Sequence, residues 1–214
     1  NAFALPGDVD GAPTWHNLHL FGTDDLGRDL LVRTLIGGRI SLMVGLMATI
    51  ASVTIGIVWG ATAGFLGGKV DTVMMRIVDM MYAVPYLLIA ILMVTLLGRE
   101  FYLVVLTITV FSWMDMARVV RGPVLSVKRW DHVEAARSVG VGEFAIALRH
   151  VLPMVISPIL VQTSLTLANT IFTVTALSFL GLGPPPPDPN WGSMLAEARQ
   201  FMAELKRKAG LPAE

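Results

Sequence analysis

The chain has 214 residues, of which 54% are hydrophobic and 15% charged, where a soluble domain carries about a quarter charged residues. Acids and bases balance to a net charge of zero, so there is no basic excess to suggest nucleic acid. No cysteine is present, which excludes disulfides, thiol catalysis and cysteine-ligated metal.

In chain order, residues 1–39 come first, with His16 and His19 and the charged cluster Asp24, Asp25, Arg28 and Asp29. Two histidines alone do not make a metal site, so a solvated loop is the simpler reading. The charged cluster fits an external protein contact and a solvated helix start equally well. Four runs without charge follow: Ile40–Gly68, Met80–Gly98, Phe101–Met114 and Val151–Pro187. A spanning helix needs roughly 20 apolar residues. The runs therefore predict four spans, at about 40–65, 80–97, 101–118 and 151–175. The third reaches that length only by passing Asp115 towards Val120, with Arg118 snorkelling to the interface. A soluble core helix would show a polar face every 3.6 residues, and Ile40–Phe65 offers only Ser, Thr and one Trp. The fold class is an all-α integral membrane bundle.

Lys and Arg in the connecting loops set the orientation. The loop at 98–100 holds Arg99 alone. The loops at 66–79 and 118–150 together hold eight basic residues: Lys69, Arg76, Arg118, Arg121, Lys128, Arg129, Arg137 and Arg149. Those two loops are expected in the cytoplasm, with residues 1–39 and 176–214 outside. The expected organisation is an outer segment at 1–39, a membrane core at 40–175 with its cytoplasmic loop at about 118–150, and an outer segment at 176–214. Within the last, "GPPPPDPNW" at 183–191 reads as a stiff polyproline-like linker. The tail 203–214 is too polar for a span, yet Lys206, Arg207 and Lys208 fit an outer location poorly.

The stretch "DHVEAARSVG" at 131–140 is a charged island between greasy segments. Asp131 and Glu134 have capping-box spacing, which predicts a helix start. Ala135 and Ala136 allow another backbone to approach closely, and Gly140 and Gly142 allow a sharp turn. "EFAIALRHVLP" at 143–153 then begins a helix expected to run rigidly into the last span. Such an element can pass a push from a cytoplasmic partner to the spans; the residues fit an ordinary interfacial amphipathic helix equally well.

Glu134-Ala135-Ala136, Gly140 and Leu152-Pro153 resemble the EAA loop of permease subunits in ATP-binding-cassette importers. His150 stands where that pattern has an aliphatic residue. "FGTDDLGRDLLVRTLIGGRISL" (21–42), "GGKVDTVMMRIVDMMYAVPYLL" (67–88) and "ALSFLGLGPPPPDPNWGSML" (176–195) resemble the oligopeptide, dipeptide and nickel group of that family. Together these blocks cover about residues 19–202. The resemblance implies a type I importer permease bundle, paired with a second permease subunit, two cytoplasmic ATPase subunits and an external solute-binding protein. It implies that Glu134, Ala135, Ala136 and Gly140, with Arg137 added, contact the ATPase. It also implies six spans, one before and one after those seen here, so the chain is expected to be a fragment or truncated product. The chain has no Gly-x-x-x-x-Gly-Lys-Ser/Thr loop, so ATP hydrolysis is expected on a partner and not here. No cofactor or metal is implied. Peptides are the expected solute, with nickel the alternative cargo.

Asp115, the one acid within a span, leaves an ion-coupled secondary transporter as a rival reading. A local pair with Arg118, three residues on, is the expected arrangement. Gly56, Gly60 and Gly64 recur every four residues and predict a close-packed helix face rather than a pore lining.

Overall fold

The computed structural model describes residues 21–24, 27–183 and 189–209. His16, His19, Asp25, the proline run at 184–188 and the last five residues of the tail lie outside the described residues. The described residues form eight α-helices: α1 (Leu30–Leu66), α2 (Gly68–Tyr82), α3 (Tyr86–Leu97), α4 (Phe101–Val127), α5 (Asp131–Ser138), α6 (Glu143–Ile146), α7 (Ile156–Phe179) and α8 (Trp191–Lys208). Between α6 and α7 the chain winds as a π-helical turn, Ala147–Val151, and then a 3-10 turn, Leu152–Val155.

Three helical segments are long and apolar enough to cross a bilayer: Leu30–Leu66, Phe101–Val127 and Glu143–Phe179. The second expected span departs from a simple rod. α3 has twelve residues, about 18 Å at 1.5 Å per residue, against a hydrocarbon core of about 30 Å. It counts as a span only when joined to α2, from which it is bent by 79°. Pro85 explains the break, because it has no N–H to continue α2 and serves as the N-cap of α3. α2 itself lies in what the charge pattern reads as a loop. Its Val70, Met74, Val78 and Met81 recur at helical spacing, and Val78 is buried while Lys69 and Arg76 are not.

The chain divides into two compact units, 44–173 and 1–43 with 174–214. In the first, the glycine stripe of α1 packs on α4, as the four-residue repeat predicts. A Cβ on Gly60 would collide with the carbonyl oxygen of Ala117, and one on Gly56 would lie 2.5 Å from the Met116 Cβ. Trp59 meets the Trp113 ring edge-on at 5.1 Å and donates its indole N–H to the Met74 carbonyl at 3.3 Å. Where α1 ends, the Lys128 ammonium donates to the carbonyls of Gly64 and Phe65 at 2.7 and 3.0 Å. Those are C-terminal carbonyls that the helix itself leaves without partners. Burial, and secondarily Arg129, push the Lys128 ammonium below the usual lysine range.

In the second unit α1 starts at Leu30, upstream of its charge-free run, because the Asp29 carboxylate accepts from the Val32 N–H at 3.0 Å. Asp24 accepts from Arg28 Nε and Arg33 Nη1, each at 2.7 Å, and Arg33 reaches Glu197 of α8 at 2.8 Å. The described part of the charged cluster is thus engaged in building a helix start. The polar tail is helical as far as Lys208. Asn190 and Ser193 form a reciprocal capping box, and Lys206, Arg207 and Lys208 sit in the last turn, where cations suit the helix dipole. The N–H groups of Trp191 hold α8 to the Thr34 carbonyl at 3.1 Å and the Ser41 hydroxyl at 3.2 Å. Asn190→Ala is expected to destabilise the start of α8 by about 1 kcal/mol. Faster amide hydrogen exchange at residues 191–194, with α4 unchanged, is the check.

Candidate functional site

α5 turns out of α4 with almost no connecting chain. The Trp130 N–H bonds the Val127 carbonyl at 3.0 Å, and the Trp130 carbonyl then accepts from Val133 and Glu134 at 2.9 and 3.2 Å. Trp130 is therefore the N-cap, and the expected Asp131–Glu134 capping box is not formed. The tight exit from α4 puts Asp131 one position too far along, inside the first turn, where its charge still suits the dipole.

The far end of α5 explains the spacing between Ala136 and Gly140. The Val141 N–H bonds the Ala136 carbonyl at 3.1 Å and the Gly140 N–H bonds the Arg137 carbonyl at 3.0 Å. This is a Schellman cap, with Gly140 in the left-handed region at φ 86°. Gly142 has an ordinary φ of −66° and begins α6, so only Gly140 carries the turn. Across that turn Arg137 Nε and Nη2 grip the two oxygens of Glu143 at 2.6 and 3.0 Å. Arg137 is thus a brace between α5 and α6, and Glu143 holds its guanidinium above the usual arginine range.

Burial separates the two faces of α5. Val133 and Ala136 are buried in a cluster with Val120, Val124 and Val127 of α4, Ile146, Val151 and Ile159. Val53, Ile57, Ala61 and Phe65 of α1 pack against the same cluster. The opposite face presents Glu134, Ala135, Arg137 and Gly140 to solvent. Next to them stand two large apolar side chains that the sequence reading did not single out, Val139 at 81% exposure and Phe144 at 78%. Val139, between Ser138 and Gly140, belongs to no periodic pattern, whereas Phe144 stands at helical spacing from Leu148 and Val151. The expected contact set therefore splits: Glu134, Ala135, Arg137 and Gly140 share a surface, while Ala136 faces inward.

The link from α6 to α7 is continuous but changes its winding, contrary to the expected rigid rod. Pro153 and Pro158 lack the N–H groups that α-helical bonding to residues 149 and 154 requires, and the π and 3-10 turns take up the mismatch. His150 lies in the π turn, with its Nδ1 buried and unbonded.

Asp115 and Arg118 do not form the expected local pair as their main contact. Tyr82 of α2 donates its hydroxyl to Asp115, and Arg118 Nη2 donates to Asp79 at 2.6 Å. α2 lies close enough to α4 to offer each a better-placed partner. Further along, the Arg121 guanidinium grips both oxygens of the buried Asp71.

The three long apolar helices and the capped surface helix α5, anchored in the same core as α4 and the α6–α7 segment, define a helical membrane protein with an exposed charged element. The chain belongs to the family of binding-protein-dependent transport system inner membrane components, whose model matches residues 52–205. It is 42% identical over 179 residues to the oligopeptide transport system permease protein OppC of Bacillus subtilis, covering 84% of this chain and 59% of that protein. It is 44% identical over 176 residues to the dipeptide transport system permease protein DppC of the same species, covering 82% and 55%. Against the glutathione transport system permease protein GsiD of Pectobacterium atrosepticum it is 41% identical over 194 residues, covering 91% and 64%. The chain thus spans about six-tenths of the length of these relatives.

Proposed function

We propose that this chain is the membrane-spanning permease subunit of an ATP-driven, binding-protein-dependent importer of peptides, with the α5 loop in the cytoplasm. The observation that carries the reading is the two-faced α5. Its inner face, Val133 and Ala136, is locked to α4 and the α6–α7 segment, while its outer face is open. A partner that displaces the outer face therefore moves the spans. The partners are two cytoplasmic ATPase subunits, which hydrolyse the ATP, a second permease subunit and an external solute-binding protein. Glu134, Ala135, Gly140 and the Arg137 brace form the ATPase contact, with Ala136 packing beneath them. The names of the relatives, for oligopeptides, dipeptides and glutathione, support a peptide as solute over nickel.

Glu134→Lys reverses an exposed charge without touching the inner face. Peptide uptake by the assembled transporter is expected to fall at least tenfold, while the chain still inserts in the membrane. Uptake equal to the parent would remove the coupling role of this face.

A further inference from the structure

The spans of the 44–173 unit leave parts of their surface uncovered, and the chemistry of those surfaces differs. From Val44 to Leu66, α1 has no acid or base, and its uncovered side chains include Leu46, Met47, Ile50 and Val58. α3 and the 156–173 part of α7 likewise lack acids and bases, and they present Leu87, Leu92, Leu160, Leu165 and Phe172. Hydrocarbon suits such faces.

α4 does not follow this pattern. The uncovered positions of its second half include Asp115, Arg118, Gly122 and Ser126, spaced to lie along one stripe. α2 sets Asp79 and Tyr82 beside it. Arg118 lies with its guanidinium carbon 4.0 Å over the Tyr82 ring while donating to Asp79, and Tyr82 donates to Asp115. These bonds do not cover the charges: the Arg118 and Asp79 side chains remain 45% and 54% exposed. Asp115 has fourteen residues of α4 before it and twelve after it, about 21 and 18 Å at 1.5 Å per residue. It therefore sits near the midpoint of the helix. Asp115 and Arg118 follow directly on the apolar run Phe101–Met114. An arginine can snorkel to the interface while an aspartate reaches less far, and a charge turned to hydrocarbon is costly, so a polar neighbour suits this stripe.

We infer that the stripe Asp115–Arg118–Gly122–Ser126, flanked by Asp79 and Tyr82 of α2, is the wall of the hydrated path along which a polar solute crosses this subunit. The inference rests on the permease reading above. The Tyr82–Asp115 and Arg118–Asp79 bonds keep these groups satisfied on the wall while leaving them open to water and to the polar groups of a passing solute.

The absence of native cysteine makes the test direct. Asp115→Cys and Arg118→Cys, and Ile50→Cys on the apolar face of α1 as reference, are placed singly in the complete transporter in membrane vesicles. Each is treated with the impermeant cationic reagent methanethiosulfonate ethyltrimethylammonium, from either side, and modification is read from the mass of this chain. The expected result is reaction at Asp115→Cys and Arg118→Cys at least tenfold faster than at Ile50→Cys. Reaction at both stripe positions as slow as at Ile50→Cys, from both sides, would place them against lipid or a partner protein and overturn the inference. Two stripe positions keep the test decisive should one variant fail to assemble. Peptide uptake by the cysteine-free parent is measured in the same vesicles. ATP-driven uptake alongside inert stripe cysteines would refute the path wall alone; absence of that uptake would refute the permease reading and the solute path with it.

Discussion

Gly60→Leu is expected to keep this chain from accumulating in the membrane. The atoms that a side chain at Gly60 would meet are backbone: the carbonyl oxygen of Ala117, then its carbonyl carbon and Cα at 3.0 Å. No rotamer change relieves a backbone clash, so α1 and α4 must move apart. That movement would open the contacts of Gly56 with Met116 and of Gly64 with Val124 and Arg121 as well. Overpacking usually costs about 1–3 kcal/mol, and here three adjacent contacts yield together. In membranes, where close van der Waals packing of small residues drives helix association, little remains to offset the loss. A tenfold or greater fall in membrane-integrated chain, read by quantitative blotting, is the expected result. Val58→Leu, on the exposed side of the same helix, is expected to leave the level near normal.

Gly140→Val is the second large effect expected, and it bears on the coupling proposed for α5. At φ 86° a β-branched residue is strained, with a cost of about 1–3 kcal/mol. Nothing crowds the position: a Cβ added to Gly140 would meet no neighbouring atom within 4 Å. The penalty is therefore conformational, and the cheapest escape is to unwind the Schellman turn. That loses the Ala136–Val141 and Arg137–Gly140 bonds and shifts Arg137 away from Glu143. α5 would then move independently of α6 and α7. Uptake is expected to fall at least tenfold while ATP hydrolysis by the complex persists. Gly142→Ala, two residues on at an ordinary φ with open space around it, is expected to retain most uptake. Equal losses in the two variants would mean that the loop is sensitive to any substitution and that the turn at Gly140 has no special part.

Much of this architecture is legible in the residues. Long charge-free runs mark α1, α4 and α7 because hydrocarbon tolerates little else, and the Gly56–Gly60–Gly64 repeat marks the seam because only glycine lets two helix backbones approach so closely. Glu134, Ala135 and Gly140 are legible through a family pattern, and the structure supplies its physical basis: the left-handed glycine comes four residues after Ala136, whose carbonyl the Schellman turn needs. What escapes is whatever depends on a neighbour distant in sequence. α2 is hidden by its charges, since its apolar side alternates with Lys69, Asp71, Arg76 and Asp79, and counting charge reads a loop where periodicity reads a helix. The partner of Asp115 is invisible because Tyr82 is brought to it by the packing of α2 on α4. The cap of α5 shifts by one residue because α4 runs on to Val127, past the expected end of its span. The start of α8 is written in Asn190 and Ser193, but the polar composition of the tail obscures that signal.

In the proposed function, force from an ATP-hydrolysing partner enters through the outer face of α5. Ala135→Cys puts a single thiol on that face in a chain with no other cysteine. With the transporter assembled in membranes, a short reagent that attaches to the thiol and carries a photoactivated group at its other end is expected to join residue 135 to the ATPase subunit, with a yield that changes when nucleotide is trapped by vanadate. A thiol that reacts freely with a small reagent in every state, yet never joins the ATPase of a transporter that still takes up peptide, would contradict the account.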